Sequence, residues 1–162
     1  AVAGRITSLI RNLPQPVVAA VKGPAAGGGM NLALACDLRI GSEQALFAQS
    51  FVKIGLVPDW GGFGFLTRLI GTAKAMELMM TGGRVGAEEA LRLGLLNRLY
   101  PAAQFRHEVS SFARRLAEGP ADAHAAIKRG VYLGVAAPLA EVTAHEKRLD
   151  MRLLELAQVP AK

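Results

Sequence analysis

The run Lys22-Gly23-Pro24-Ala25-Ala26-Gly27-Gly28-Gly29-Met30-Asn31 can do chemistry with its backbone rather than with a reactive side chain. Its glycines lead from an apolar segment, Pro16-Val17-Val18-Ala19-Ala20-Val21, into Met30 to Ala35, a stretch rich in good helix formers. The first N–H groups of a helix have no intrahelical partner. The helix dipole places partial positive charge beside them, and glycine removes the Cβ that would hold a ligand away. Such a turn suits an anion or a developing oxyanion. A P-loop is excluded because Met30 and Asn31 stand where Lys and Ser/Thr are required. The dinucleotide fingerprint is excluded because Gly23 to Gly29 lack G-x-G-x-x-G spacing. The competing reading is a turn that lets a helix pack closely on a strand. Asn31 likewise reads two ways: as a local hydrogen-bonder in the first helical turn, or as an amide that orients substrate or water.

A carboxylate stands in a second glycine-rich stretch, Val57-Pro58-Asp59-Trp60-Gly61-Gly62. Locally, Pro-Asp-x-Gly-Gly is a turn signal, and Asp59 reads as the N-cap of the helix that follows.

These groups need a framework. Residues 17–21, 38–41, 45–48 and 98–100 read as strands, and 29–35, 62–70, 73–81 and 87–93 as helices, with glycine turns between them. Residues 6–12 read as the end of a helix stopped by Pro14-Gln15-Pro16. The alternation predicts an α/β layered fold with a partly parallel sheet. Beyond Ala102 the pattern is helical, over 105–117, 121–133 and 137–157. Met76, Met79 and Met80 fall at helical spacing and are expected in the core.

Composition sets the bounds. Hydrophobic residues make up 51% of the chain, enough for a real core. The longest uncharged stretch, residues 23–36, spans 14 residues and is too short to cross a membrane. A single cysteine, Cys36, excludes an intramolecular disulfide and reads as a small buried hydrophobe. A cytoplasmic setting is expected. The net charge of +6 is spread along the chain without a basic block, so nucleic acid ranks last among the partners. His107, His124 and His145 show no metal-ligand spacing, and no metal is expected.

In order and spacing, the segments resemble the enoyl-CoA hydratase/isomerase (crotonase) superfamily. The matching pieces are Pro16 to Gly23, Ala26 to Gly29, Leu32 to Asp37, Phe47-Ala48-Gln49, Ile54 to Gly62, Leu66 to Gly71, Ala75 to Leu78, Thr81-Gly82, Ala87 to Ala90 and Leu93 to Asn97. The resemblance implies a spiral of β-β-α turns over 1–101, N-terminally incomplete, and a partial C-terminal helical oligomerisation region over 102–162. It implies an acyl-CoA thioester as substrate, with no cofactor beyond the coenzyme A of that substrate, and a homotrimer or a dimer of trimers. In the family, two backbone N–H groups hold the thioester oxygen. One maps onto Gly28; the other lies upstream of the pattern found in this chain. Ala26, Gly27, Phe51 and Trp60 are the implied substrate contacts. Arg39, Lys53, Arg68 and Lys74 are weighed as phosphate contacts or as a solvated face.

The hydratase pattern carries two glutamates. Asn31 stands in place of the first and Phe51 in place of the second, and neither titrates near neutral pH. An acidic residue at Asp59 resembles instead the base of the phenylacetyl-CoA-pathway isomerases. In 4-chlorobenzoyl-CoA dehalogenases the matching aspartate is a nucleophile, paired with a tryptophan where Phe51 falls. The expected reaction is therefore a double-bond shift in an enoyl-CoA. The Gly28 N–H would hold the enolate, and Asp59 would carry the proton in apolar surroundings supplied by Phe51, Trp60, Phe63 and Phe65. A hydratase with atypical residues and a non-catalytic CoA-binding or RNA-binding member are the alternatives.

Overall fold

The structure, a computed structural model, describes residues 2–158. Two compact units divide the chain: residues 2–12 with 17–115, and residues 13–16 with 116–158.

The first unit is a spiral over two small sheets. α1 (Val2–Asn12) precedes β1 (Val18–Val21), β2 (Pro24–Ala26) and α2 (Gly28–Ala35), which form one turn. β3 (Leu38–Ser42), β4 (Leu46–Ala48), a 3-10 helix over Ser50–Ile54 and α3 (Gly62–Thr81) form the next. β5 (Arg84–Gly86), α4 (Ala87–Arg92), β6 (Arg98–Tyr100) and α5 (Phe105–Ala117) follow. Each turn gives one strand to each sheet, in the orders β1-β3-β6 and β2-β4-β5. β1 pairs with β3 in parallel, Val18 opposite Leu38, and β2 pairs with β4 in parallel, Pro24 opposite Leu46. Each of these parallel pairs is joined through α2, the kind of crossover that parallel neighbours require. β5 returns antiparallel to β4.

The core lies where α2 meets the sheets. Met30 and Leu34 are wholly buried with Phe47, Leu66, Val85, Ala90 and Leu95 around them. α2 is apolar on nearly every side, as expected for a helix enclosed by other elements. Arg39 is buried as well. It donates to the carbonyls of Leu95 and Cys36, so its place is structural and it belongs neither to a phosphate contact nor to a solvated face. Cys36 is buried as expected.

Several elements depart from the sequence reading. β2 and β5 are three-residue strands with little β-branched content, visible only through their pairing with β4. The break expected between two helices is a kink at Gly71 (φ 76°, ψ 165°) inside α3. Met76 and Met80 are not core residues. Ala75 and Leu78 take the buried side of α3, leaving Met76 52% and Met80 68% exposed. With Val52, Leu56, Val57 and Phe63 they line an open apolar hollow of about 320 Å³.

The second unit contains α6 (Ala121–Gly134) and α7 (Leu139–Gln158), packed as a helical hairpin. Within it, buried Lys128 donates to the Gln15 carbonyl at 3.1 Å, fixing the segment at residues 13–16. No described helix is long and apolar enough to cross a membrane.

Candidate active site

The glycine turn is built by its backbone. Gly27 is the N-cap of α2, at φ 52° and ψ −120°, and its N–H donates to the Ala48 carbonyl at 2.9 Å. This bond ties the turn to the end of β4, where Ala26 pairs with Ala48. The first bond inside α2 runs from the Asn31 N–H to the Gly27 carbonyl. The Gly28 N–H therefore starts the helix with no acceptor among the described residues, the condition an oxyanion donor requires.

Glycine is favoured by the positive φ at Gly27 and by close approach at Gly28. A Cβ on Gly28 would stand 3.1 Å from Trp60 Nε1, so the indole edge lies against the start of α2. A Cβ on Gly27 would meet Ser50 Oγ at 3.4 Å and the Phe51 ring at 3.6 Å. Trp60 and Phe51 thus flank the turn, both half-buried.

Asp59 comes to the same place on a strained turn. Trp60 has φ 53°, the only positive φ outside glycine among the described residues, and Gly61 follows at φ 81°. Two successive left-handed residues cost an L-residue such as Trp60 of order 1 kcal/mol or more. The turn is held at its carbonyl end: the Asp59 C=O accepts from the Gly62 N–H and from Asn31 Nδ2, both at 2.9 Å. Gly62 packs directly on the Asn31 amide, leaving no room for a Cβ.

The structure brings Asp59, Gly28, Asn31, Gly27, Phe51 and Trp60 into one neighbourhood, with Ala26 exposed at its rim. Two expectations change. Asp59 does not cap the helix: Gly61 is the N-cap of α3 and no side chain caps it. The Asp59 carboxylate is exposed and makes no hydrogen bond or ion pair with a described residue. Nor is it enclosed by phenylalanines, since Phe63 is 55% exposed and Phe65 packs beneath Gly61 and under the Arg11 guanidinium. Asn31 is completely buried, with Oδ1 accepting from Gln49 Nε2 at 2.6 Å and Nδ2 engaged by Asp59. Gln49, unremarked as a site residue in the sequence, is the added member. Its signals there are a polar residue directly after an apolar strand and its place in the matching piece Phe47-Ala48-Gln49.

A family model described as enoyl-CoA hydratase/isomerase matches residues 4–159. The chain belongs to the enoyl-CoA hydratase/isomerase family. Among its relatives, the "Probable enoyl-CoA hydratase" of Rhodobacter capsulatus is 44% identical over 144 residues, covering 89% of this chain and 56% of that protein. 4-Chlorobenzoyl coenzyme A dehalogenase-1 of an Arthrobacter species is 33% identical over 141 residues, covering 87% of this chain and 51% of its own. The crystal structure of enoyl-CoA hydratase from Bacillus anthracis superposes with a TM-score of 0.91 at 32% identity, over 94% of this chain and 59% of that one. An enoyl-CoA hydratase from Polaromonas sp. JS666 gives 0.90 at 36%, over 94% and 59%. The α/β spiral with trailing helices expected from the sequence is thus the fold shared with family members of known structure. The chain spans about half the length of the curated relatives it matches.

Proposed function

We propose that this chain carries the catalytic carboxylate of an acyl-CoA isomerase that moves a double bond within an enoyl-CoA. The observation that carries the reading is the Asp59 carboxylate, exposed and uncommitted to any described partner, on a turn whose neighbour Trp60 lies against the free Gly28 N–H. In this reading Asp59 takes a proton from the carbon next to the thioester of a 3-enoyl-CoA. The electron pair moves onto the thioester oxygen, giving a dienolate. The Gly28 N–H donates to that oxygen where charge develops, an interaction worth about 2.7–4 kcal/mol for one donor. Asp59 then returns the same proton two carbons further along, and the product is the conjugated 2-enoyl-CoA. Atoms and charge balance without a cofactor beyond the coenzyme A of the substrate. Phe51, Gly27, Ala26 and Trp60 are the proposed walls of the substrate site, and Asn31 serves by holding the Asp59 carbonyl.

Two features support isomerisation over hydration. Asn31 and Phe51 occupy the glutamate positions of the hydratase pattern, and Asn31 is buried with both amide atoms engaged. The names of the relatives favour the second reading, a hydratase in which Asp59 activates water. Product analysis separates them: a 3-enoyl-CoA is expected to yield a 2-enoyl-CoA of unchanged mass. A 3-hydroxyacyl-CoA formed from a 2-enoyl-CoA, with no bond migration, would reverse the assignment. The resemblance to phenylacetyl-CoA-pathway isomerases extends the proposal to their class of enoyl-CoA. A trimer or dimer of trimers in the cytoplasm is also proposed, its assembly supported by Ile127 and Val131 exposed at helical spacing along α6 and Val135 exposed at its C-cap. Mass in solution by light scattering is its check, and a monomer would contradict it.

A further inference from the structure

We propose that Gln49 is a positioning residue for Asp59, acting through the Asn31 amide. This rests on the isomerase reading and names a residue that reading does not use. Gln49 follows β4 directly, so its backbone is fixed by the sheet, and its side chain is 1% exposed. Its Nε2 donates to Asn31 Oδ1 at 2.6 Å. The Asp59 carbonyl can only accept, so Nδ2 is turned to it, Oδ1 faces Gln49, and the Gln49 donor holds the Asn31 amide in that orientation. The relay ends on the turn that holds Trp60 in its left-handed conformation and leaves the Asp59 carboxylate outward.

The residue types fit this task and no simpler one. A glutamate at position 31, as in the hydratase pattern, has only acceptors when ionised and could not donate to the Asp59 carbonyl. An amide accepts from Gln49 and donates to Asp59 at once. Gln49 Oε1, by contrast, is buried with no partner among the described residues. The Gln49 donor is the half that engages Asn31.

The two halves can be separated by substitution. Gln49→Leu removes the donor and keeps the volume. Gln49→Glu makes the donor conditional: the protonated acid donates to Asn31 Oδ1, whereas the carboxylate cannot and draws Asn31 Nδ2 away from Asp59. Burial without a counter-charge raises a carboxyl above its ordinary value of about 4.3, so the conditional donor is lost as pH rises through that raised value.

The test uses the full-length protein and a 3-enoyl-CoA, with wild type, Asp59→Asn, Gln49→Leu and Gln49→Glu compared across pH. Gln49→Leu is expected to lower kcat by about 10²-fold, as for a reacting group displaced by about 1 Å, with KM little changed. The ratio of Gln49→Glu to wild-type kcat is expected near one at acid pH, falling as pH rises. A structural role alone would lower thermal stability without moving this ratio. If Asp59→Asn is inactive while both Gln49 variants track wild type at every pH, the inference is overturned. If wild type does not isomerise, or Asp59→Asn is fully active, the isomerase reading is what fails. The relay is then judged by hydrogen exchange of the Gly62 amide, which donates to the Asp59 carbonyl. Faster exchange in Gln49→Leu supports the relay, and unchanged exchange overturns it.

Discussion

Replacing Asn31 by leucine should cost far more than one hydrogen bond, and replacing Gln49 as well should restore much of the loss. In Asn31→Leu, Gln49 Nε2 loses its acceptor while remaining buried beside an Oε1 that has no partner among the described residues. An orphaned buried donor costs about 1–3 kcal/mol. The Asp59 carbonyl loses one of two donors but keeps the Gly62 N–H, so that end costs only a net hydrogen bond, about 0.5–1.5 kcal/mol. The sum is about 1.5–4.5 kcal/mol, equivalent to a fall in Tm of roughly 3–18 °C for a chain of this size. In Asn31→Leu/Gln49→Leu the orphaned amide is gone, and apolar groups of similar shape face each other. Removing both partners in this way can be nearly neutral. Urea unfolding of the four proteins closes a double-mutant cycle, with an expected coupling of about 1–3 kcal/mol that favours the double variant over the sum of the singles. The reasoning is refuted if Asn31→Leu costs less than about 0.5 kcal/mol, or if the two substitutions simply add.

Gly28→Ala places a Cβ 3.1 Å from Trp60 Nε1, so the indole must shift by a few tenths of an ångström. The protein is expected to fold normally, but its single tryptophan should report the shift as altered fluorescence, with kcat reduced by up to about 10²-fold; unchanged fluorescence and activity would count against the contact. Lys74 is held above its ordinary 10.5, chiefly by its hydrogen bond to Glu77, with attraction to Glu77 and Glu89 adding and burial opposing. A raised folded pKa stabilises fully below the unfolded value, and that stabilisation is lost as pH climbs through the folded one. The small melting difference between wild type and Lys74→Met should therefore shrink above pH 10.5, and a difference that grew there would contradict the pairing.

What the sequence revealed, and what it did not, follows from the range over which each signal acts. The glycine turn was legible because Gly27, Gly28 and Gly29 stand between a β-prone run and a helix-prone one, and each step is local. An interruption near Gly71 and the end of α3 before Gly82 were legible for the same reason, though the interruption is a kink within α3 and not a turn between two helices. β2 and β5 were not, because Pro24-Ala25-Ala26 and Arg84-Val85-Gly86 become strands only by pairing with β4. Met76 and Met80 looked like core because helical spacing does not say which side of a helix has a neighbour. On local pattern alone Pro-Asp-x-Gly-Gly fits a helix cap, and only the resemblance points to another use of Asp59. The turn's actual form depends on Trp60 taking a left-handed φ, which only the distant Asn31 amide and the close fit of Gly62 account for. The same distance concealed Gln49, separated from Asn31 by the whole of β3 and β4.

The central claim is that Asp59 moves the proton. The most direct measurement is the rate of double-bond migration in Asp59→Asn against wild type, in the full-length protein, with acyl-CoA binding followed through Trp60 fluorescence. An asparagine keeps the shape of the turn and the carbonyl that Asn31 and Gly62 engage, so binding should persist. Loss of the base is expected to reduce kcat by about 10²–10⁴-fold. A variant that binds and isomerises at the wild-type rate would contradict the account.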